Sequence, residues 1–147
     1  MHLISFSIPG QPIAKSRPRF TTINGKPRPF SSPKSSSFEN LVALAAQPFL
    51  PPSPISSHIS ISITFIFQRP LSLLKFSKRS NLPLSPPHRL PHPHRPDLDN
   101  CIKSILDGLN HSGIWIDDSL VTSIVASKFF SAIDEPPHTL VSISYPV

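Results

Sequence analysis

The chain has 147 residues, a formal net charge of +6 and a hydrophobic content of 38%. A chain of this size accommodates one hydrophobic core and excludes a second catalytic domain, so we expect one domain over residues 1–147. The single cysteine, Cys101, excludes an internal disulfide and indicates a reduced, cytoplasmic setting. No apolar run is long enough to cross a bilayer and the start lacks the features of a signal peptide, so we expect a soluble protein.

Charge is unevenly distributed along the sequence. Twelve of the fourteen Lys and Arg residues precede position 97, whereas Glu39 alone of the eight acidic residues does so. A basic surface suits contact with a phosphate backbone, and concentrated carboxylates suit a cation held at a cleavage site. The distribution therefore favours an enzyme acting on nucleic acid, although a basic protein with a chance cluster of acids has the same counts.

The first predicted elements are a strand and a hairpin. Alternating apolar residues predict a strand over residues 3–8, and a basic, proline-rich loop follows it. Asn24 and Gly25 favour a tight turn between strands at 19–23 and 26–30, which gives a basic ribbon suited to lying on DNA. The residues expected to contact DNA are Lys15, Arg17, Arg19, Lys26, Arg28 and Arg95.

The middle of the chain predicts a helix, a strand and an insertion. Serines before an apolar periodic run predict a helix from about residue 36 to 47. The regular alternation over residues 59–67 predicts a strand at the centre of a sheet. Residues 70–96 are rich in Pro, Ser and His, and this proline density predicts a partly disordered surface insertion without helix or strand pairing.

The last third of the chain predicts a helix and two strands. The helix begins at Asp97, carries apolar residues at helical spacing and ends near Gly113. Strands are expected over residues 120–130 and 139–145. The complete order predicts an α+β fold in which a mixed sheet packs against two main helices.

The residues with the clearest chemical pattern are five aspartates and one lysine: Asp97, Asp99, Lys103, Asp107, Asp117 and Asp118. Two carboxylates at a helix entrance repel each other, but the helix N-terminus stabilises each by about 0.3–1 kcal/mol. A divalent cation removes the remaining conflict, and Mg²⁺ accepts one or two protein carboxylates together with substrate phosphate. Lys103, one turn after Asp99, is placed to stabilise the negative charge of a transition state.

Each of these residues also has a purely structural interpretation. Asp97 or Asp99 alone is an ordinary helix cap, and Lys103 is an ordinary partner for an acid four residues away. Asp107 can pair with Lys103, and the two aspartates at 117 and 118 can form a turn before a strand. These interpretations together account poorly for so many acids gathered in a basic protein.

The ordered motif resembles the RusA family of Holliday-junction resolvases. It consists of Asp97-Leu98-Asp99-Asn100, Lys103, Asp107 and Gly113-Ile114-Trp115-Ile116-Asp117-Asp118. The basic segment at residues 9–20 is also similar to one common in that family, so the resemblance covers both ends of the chain. The insertion before Asp97 is longer than the family pattern.

The resemblance implies an enzyme and assigns roles to its residues. It implies a Mg²⁺-dependent homodimer, with Mn²⁺ as an alternative ion and no organic cofactor, that nicks four-way DNA junctions during recombination and repair. Asp97, Asp99 and Asp118 would be the metal-binding catalytic acids and Lys103 the essential lysine. Asp107 and Asp117 would be supporting acids, and the protein would associate with the nucleoid when bound to DNA.

Other functions remain open on sequence grounds. A DNA- or RNA-binding protein without catalysis would use only the basic half of the chain, and a related nuclease would cut flaps, forks or duplex. The close histidines His88, His92 and His94 could bind a transition metal, but the prolines between them favour a solvated loop. Trp115 could stack on a base, but its apolar neighbours favour packing in the core.

Overall fold

The secondary structure follows the predicted order along the chain. The computed structural model describes residues 1–16, 19–30, 32–80, 82 and 84–147. The strands are β1 (His2–Pro9), β2 (Arg19–Ile23), β3 (Lys26–Phe30), β4 (Ile59–Phe67), β5 (Leu90–Pro91), β6 (Val121–Phe130) and β7 (His138–Tyr145), and the helices are α1 (Pro33–Ala46) and α2 (Leu98–Ser112). Every predicted helix and strand is present, and the α+β prediction is confirmed.

Five strands form one mixed sheet in the order β1-β7-β4-β6-β5. The strand β4 lies at its centre as predicted, antiparallel to β7 and parallel to β6. Parallel neighbours require a crossover connection, and here that connection contains α2. The basic hairpin of β2 and β3 forms a separate two-stranded sheet, and both turn residues, Asn24 and Gly25, have positive φ as a tight hairpin requires.

The core lies between the sheet and the two helices. Alternate residues of β4 point into it, and Ile59, Ile63 and Phe65 are almost fully buried. The two helices approach each other closely at Gly108, where an added Cβ would lie 2.5 Å from the Cβ of Val42. Only glycine fits at this position, and the close contact fixes α2 against α1 and over the sheet.

Helix α1 begins earlier than predicted. Its N-cap is Ser32, whose side chain accepts a hydrogen bond from the backbone of Ser35, and Pro33 occupies the first turn, where a missing N–H costs nothing. Ser35 is buried inside the helix, and its hydroxyl accepts a hydrogen bond from the backbone N–H of Ser16. The prediction that the serines from position 35 cap the helix was therefore wrong, because proline at the first position was not considered.

The insertion at residues 70–96 is more ordered than its composition predicted. Leu90 and Pro91 form β5, which pairs with the end of β6 at the edge of the sheet. The prediction that proline density prevents all strand pairing was wrong here, because an edge strand tolerates a residue that lacks a backbone donor.

One buried arginine holds the insertion to the core. Arg69 is only 2% exposed, and its guanidinium donates to the backbone carbonyls of Ser131, Pro86 and His88, with a longer contact to Leu73. A planar fork of five donors can satisfy several carbonyls at once, which a lysine ammonium cannot do in the same geometry.

We predict that Arg69→Met lowers the free energy of unfolding by about 3 kcal/mol, since the buried carbonyl of Ser131 and the part-buried carbonyls of Pro86 and His88 lose a charged donor. Arg69→Lys should restore only part of the loss. Urea denaturation followed by circular dichroism measures both variants, with Arg79→Met in the exposed part of the insertion as the control. Equal denaturation midpoints for Arg69→Met and the wild type would show that the hydrogen bonds of Arg69 do not stabilise the fold.

A second prediction concerns acid stability. Hydrogen bonds from Arg89 lower the pKa of Glu135 from 4.5 to about 2, so the folded state gains stability above pH 4.5 and loses it as the pH falls toward 2. Glu135→Gln should be less stable than the wild type above pH 4.5, and the two proteins should converge at lower pH. Thermal unfolding across this range tests it, and a constant difference at every pH would contradict it.

Candidate active site

The start of α2 presents two exposed carboxylates that lie two residues apart. Asp97 is the N-cap residue with extended geometry (φ −69°, ψ 143°), but its side chain makes no capping hydrogen bond. Asp99 lies in the first turn, and both side chains are exposed. The capping interpretation of Asp97 is therefore wrong for its side chain, and both carboxylates remain available to a ligand beside the positive end of the helix.

The backbone leading to Asp97 is held by a lysine that sequence reasoning did not identify. Lys128 of β6 donates from Nζ to the carbonyl oxygens of His94 and Pro96, each at 2.6 Å. Burial raises the pKa of the Cys101 thiol to about 11, and the charges of Lys128, Asp97 and Asp99 all act on that thiol. The hydrogen bond to the carbonyl of Pro96 thus places the positive charge of Lys128 next to the backbone that leads into Asp97.

The sequence did contain a signal for Lys128. In the register of β6 against β4, Lys128 lies opposite the buried Phe65, on the side of the sheet that carries the helices. A lysine at an inward position of a strand needs hydrogen-bond acceptors, because an unpaired charge is costly to bury. The strand prediction over residues 120–130 did not include the side of the sheet on which Lys128 lies, and its acceptors come from a distant segment.

Lys103 belongs to a chain of four charged side chains. Its ammonium lies 3.3 Å from Asp107, which lies 3.1 Å from Lys15, and Lys15 in turn binds the buried Glu39 at 2.5 Å. Partial burial opposes the charge of Lys15, but the hydrogen bonds and charges of the two carboxylates outweigh it and raise the pKa of Lys15. Asp107 therefore has the structural role foreseen as an alternative, while the side chain of Lys103 stays 56% exposed.

Asp118 lies near the other end of α2. Its carboxylate accepts a hydrogen bond from the amide of Asn110 at 3.1 Å, and the indole of Trp115 donates to the carbonyl of the same amide at 2.6 Å. Trp115 is 3% exposed, which confirms that it is a packing residue. Hydrogen bonding by the side chain of Ser119, and then by its backbone N–H, lowers the pKa of Asp117, and the backbone bond gives Asp117 the turn-forming role considered above.

The structure places Asp97 and Asp99 at the first turn of α2 and Asp118 at the other end of the helix. Between Asp99 and Asn110 the helix rises by roughly 16 Å, at ~1.5 Å per residue. In the part of the chain that the structure describes, no three His, Cys, Asp or Glu side chains are arranged to hold one metal ion. The spacing of a motif states no distance by itself, and the separation follows only once the chain between its residues is helical.

Some of the residues expected to contact DNA are exposed, and at least one is engaged in ion pairs instead. Lys26 and Arg28 are exposed on the hairpin, and Arg95 is exposed in a groove that it shares with Asp97. The ammonium of Lys15 is bound to two carboxylates and so is not presented to a phosphate. Arg17 lies outside the described residues, as does the side chain of Arg19.

The histidines before Asp97 do not resemble a metal site. The ring of His92 is buried, stacks on Phe130 at a centroid distance of 4.2 Å and meets the edge of Phe67 at 4.7 Å. Burial is the main cause that lowers the pKa of His92, so the neutral ring is favoured. His92 is therefore a core residue, and the expectation that it belongs to a solvated loop was wrong.

Comparison with known proteins defines the class. Residues 9–144 match the family model described as Endodeoxyribonuclease RusA. The chain is also similar to the protein YqaN of Bacillus subtilis (strain 168), described as uncharacterized, with 34% identity over 136 residues and 92% coverage of both chains. The fold and the match together define a DNA-cleaving enzyme. The chain belongs to the RusA family of endodeoxyribonucleases.

The described helices carry no membrane-spanning segment, since none is both long and apolar enough to cross a bilayer.

We predict that Lys128→Met slows DNA cleavage at least about tenfold, because the segment before Asp97 loses both ammonium hydrogen bonds and the site loses a charge. Single-turnover rates at saturating DNA separate this effect from binding. Lys78→Met, which removes an exposed lysine of the insertion, is the matched control. An unchanged rate in a folded Lys128→Met protein would remove Lys128 from the site.

Proposed function

We propose that this protein is a Mg²⁺-dependent nuclease that resolves Holliday junctions through paired symmetric nicks and acts as a homodimer in DNA recombination and repair. The observation that carries the proposal is the pair of exposed carboxylates, Asp97 and Asp99, at the N-terminus of α2 in a chain of the RusA family. The side chain of Asp97 makes no capping hydrogen bond. A basic hairpin on the same chain supports DNA as the substrate. The proposed place of action is the cytoplasm, on the nucleoid when DNA is bound.

The carboxylates fit the requirements of magnesium. Mg²⁺ prefers oxygen ligands and takes one or two protein carboxylates, and Mn²⁺ accepts the same ligands. Asp97 and Asp99 are exposed, and the side chain of Asp97 has no competing cap bond, so both can bind a cation. When bound, the ion would polarise the scissile phosphate and activate water. We propose Asp97, Asp99 and Asp118 as its protein ligands.

The surrounding cations have separate proposed roles. Lys103 lies one turn after Asp99, and its exposed ammonium is the group best placed to stabilise negative charge on the phosphate. Asp107 holds Lys103 from the next turn and is a positioning residue. Arg95 beside Asp97, together with Lys26 and Arg28 on the hairpin, would bind the backbone of the DNA arms. The side chains of Arg17 and Arg19 are proposed for the same role from the sequence.

The proposed function is tested with an end-labelled synthetic four-way junction incubated with the purified protein in Mg²⁺ or in EDTA. Linear duplex, flap and fork substrates run beside it. We expect symmetric nicks in opposite strands of the junction that require the metal and leave duplex intact. Equal cutting of flaps or duplex would change the substrate, and tight binding without cutting in any metal would overturn the enzymatic proposal.

Two substitutions test the roles of the residues. Asp99→Asn should slow cleavage at least about 100-fold while junction binding in the gel is retained, because a metal ligand is lost and the surface charge changes little. Lys103→Ala should slow the cut by roughly 100-fold with a smaller effect on binding. Asp134→Asn is the control, since this exposed aspartate has positive φ, a conformation that asparagine also adopts.

Different outcomes would reassign these residues. If Lys103→Ala weakened binding more than it slowed the cut, Lys103 would be a phosphate anchor and not a stabiliser of the transition state. Full activity of Asp99→Asn would remove Asp99 from the metal site.

A further inference from the structure

Two acids, one buried and one half-buried, meet where the two helices approach each other closely. Glu39 of α1 is 4% exposed, although it is the one acid before position 97 of a basic chain. Gly108 of α2 packs against it, because a Cβ at that glycine would lie 3.0 Å from the backbone oxygen of Glu39. Asp107 precedes Gly108 and reaches the same ammonium as Glu39. Carboxylates of like charge at such a contact need a cation between them.

Lys15 supplies that cation. Its ammonium lies 2.5 Å from Oε1 of Glu39 and 3.1 Å from Oδ2 of Asp107, and its side chain is only 23% exposed. Both carboxylates therefore compete with any phosphate for this ammonium, and the surrounding protein shields it. A contact between Lys15 and DNA does not explain why the fold brings these three charges together.

The segment that carries Lys15 is fixed between the two helices. The N–H of Lys15 donates to the carbonyl of Asn100 on α2 at 2.9 Å, and the hydroxyl of Ser104 on the same helix donates to the carbonyl of Ile13 at 2.7 Å. On the other side, the hydroxyl of the buried Ser35 on α1 accepts a hydrogen bond from the N–H of the residue after Lys15. The fold thus sets the position of the ammonium through the backbone as well as through its ion pairs.

The position of Lys15 determines how much of the Asp107 carboxylate is left for Lys103. Oδ2 of Asp107 faces Lys15, and Oδ1 faces Lys103 at 3.3 Å, so each oxygen serves one ammonium. An ion pair between an exposed lysine and an acid four residues away is weak, and a second cation on the same carboxylate weakens it further. The ammonium of Lys103 has three donors and its side chain is 56% exposed, so it can turn to a phosphate.

We propose that Lys15, held by Glu39, is a positioning residue that keeps the Lys103 ammonium available to the scissile phosphate by occupying one of the two oxygens of Asp107. This inference rests on the proposed nuclease function. Without Lys15, both oxygens of Asp107 would attract Lys103, and its ammonium would be drawn back from the phosphate. Lys15 speeds the cut without touching the DNA.

A double-mutant cycle on the cleavage rate tests the proposal. Lys15→Met should slow single-turnover cutting of the four-way junction in Mg²⁺ about tenfold and change the dissociation constant of the junction less than about twofold, because Lys103 is withdrawn and no contact with DNA is lost. In a Lys103→Ala background the same substitution should have no further effect, because Lys15 acts through Lys103. Losses that multiply in the double variant, a wild-type rate for Lys15→Met, or a main effect on binding would overturn the proposal.

Glutamate substitutions separate positioning from a loss of stability. Glu39→Gln should also slow the cut, and Lys15→Met combined with Glu39→Gln should be no slower than Lys15→Met alone, since Glu39 acts through Lys15. This combined variant has no unpaired charge at position 39, so it replaces Lys15→Met in both experiments if that protein does not fold. Glu135→Gln is the matched control, because it removes the ion pair of the chain's other glutamate with Arg89 and should not slow the cut. A wild-type rate for Glu39→Gln would contradict the proposal.

The second experiment needs neither DNA nor metal and so separates this inference from the proposed function. If the wild type cuts no DNA, the nuclease proposal fails, and acylation of the lysines by an N-hydroxysuccinimide ester, followed by mass spectrometry, tests the arrangement of charges alone. Lys103 should react about twofold or more slowly in Lys15→Met than in the wild type, because the whole Asp107 carboxylate then holds it. The exposed Lys78 should react equally in both proteins. An unchanged rate at Lys103 would overturn the inference.

Discussion

The parallel pairing of β4 with β6 determines the geometry of the whole site. Two parallel strands cannot be joined by a tight turn, so the chain between them must cross the sheet, and α2 is the helix of that crossover. The helix therefore runs back along the sheet between the end of the insertion and the start of β6. Asp97 precedes the first residue of α2 and Asp118 follows its last turn, so the length of the helix separates the two aspartates.

Within that geometry, neighbouring groups divide the acids by role. Asp107 is neutralised by Lys15 and Lys103, and Asp117 is used by the backbone of Ser119. Among the described residues, Asp97 and Asp99 form no ion pair within 4.0 Å, and the helix terminus offsets part of their repulsion, which leaves them available to a cation. The chain thus uses two of its aspartates to build the fold around the ones proposed for chemistry.

Local rules were sufficient for much of the fold. The hairpin followed from Asn24 and Gly25 because its turn is decided by those two residues, and the central strand followed from strict alternation over 59–67. The predictions failed where distant groups decide the structure. Pro91 pairs with β6 because it lies at the edge of the sheet. The insertion is held at Leu73 and His88 because Arg69 donates hydrogen bonds to their backbone carbonyls.

In the candidate site, too, the sequence predicted what local residues decide and missed what distant residues decide. The motif identified the aspartates and Lys103, since their types and order carry the resemblance. It could not identify Lys128, whose acceptors lie more than thirty residues away, and it did not indicate that Asp118 binds Asn110 at the far end of α2. Spacing along a chain does not by itself record the direction of a helix.

The hydrogen bonds of Lys128 have a consequence for the order of folding. Lys128 lies on β6, and its ammonium can donate to the carbonyls of His94 and Pro96 only when β6 has taken its place beside β4. Pairing between distant parallel strands forms slowly compared with a local helix. A chain in which α2 has formed but β6 has not yet paired therefore lacks the bonds that hold the backbone before Asp97, and its acidic site is completed only together with the sheet.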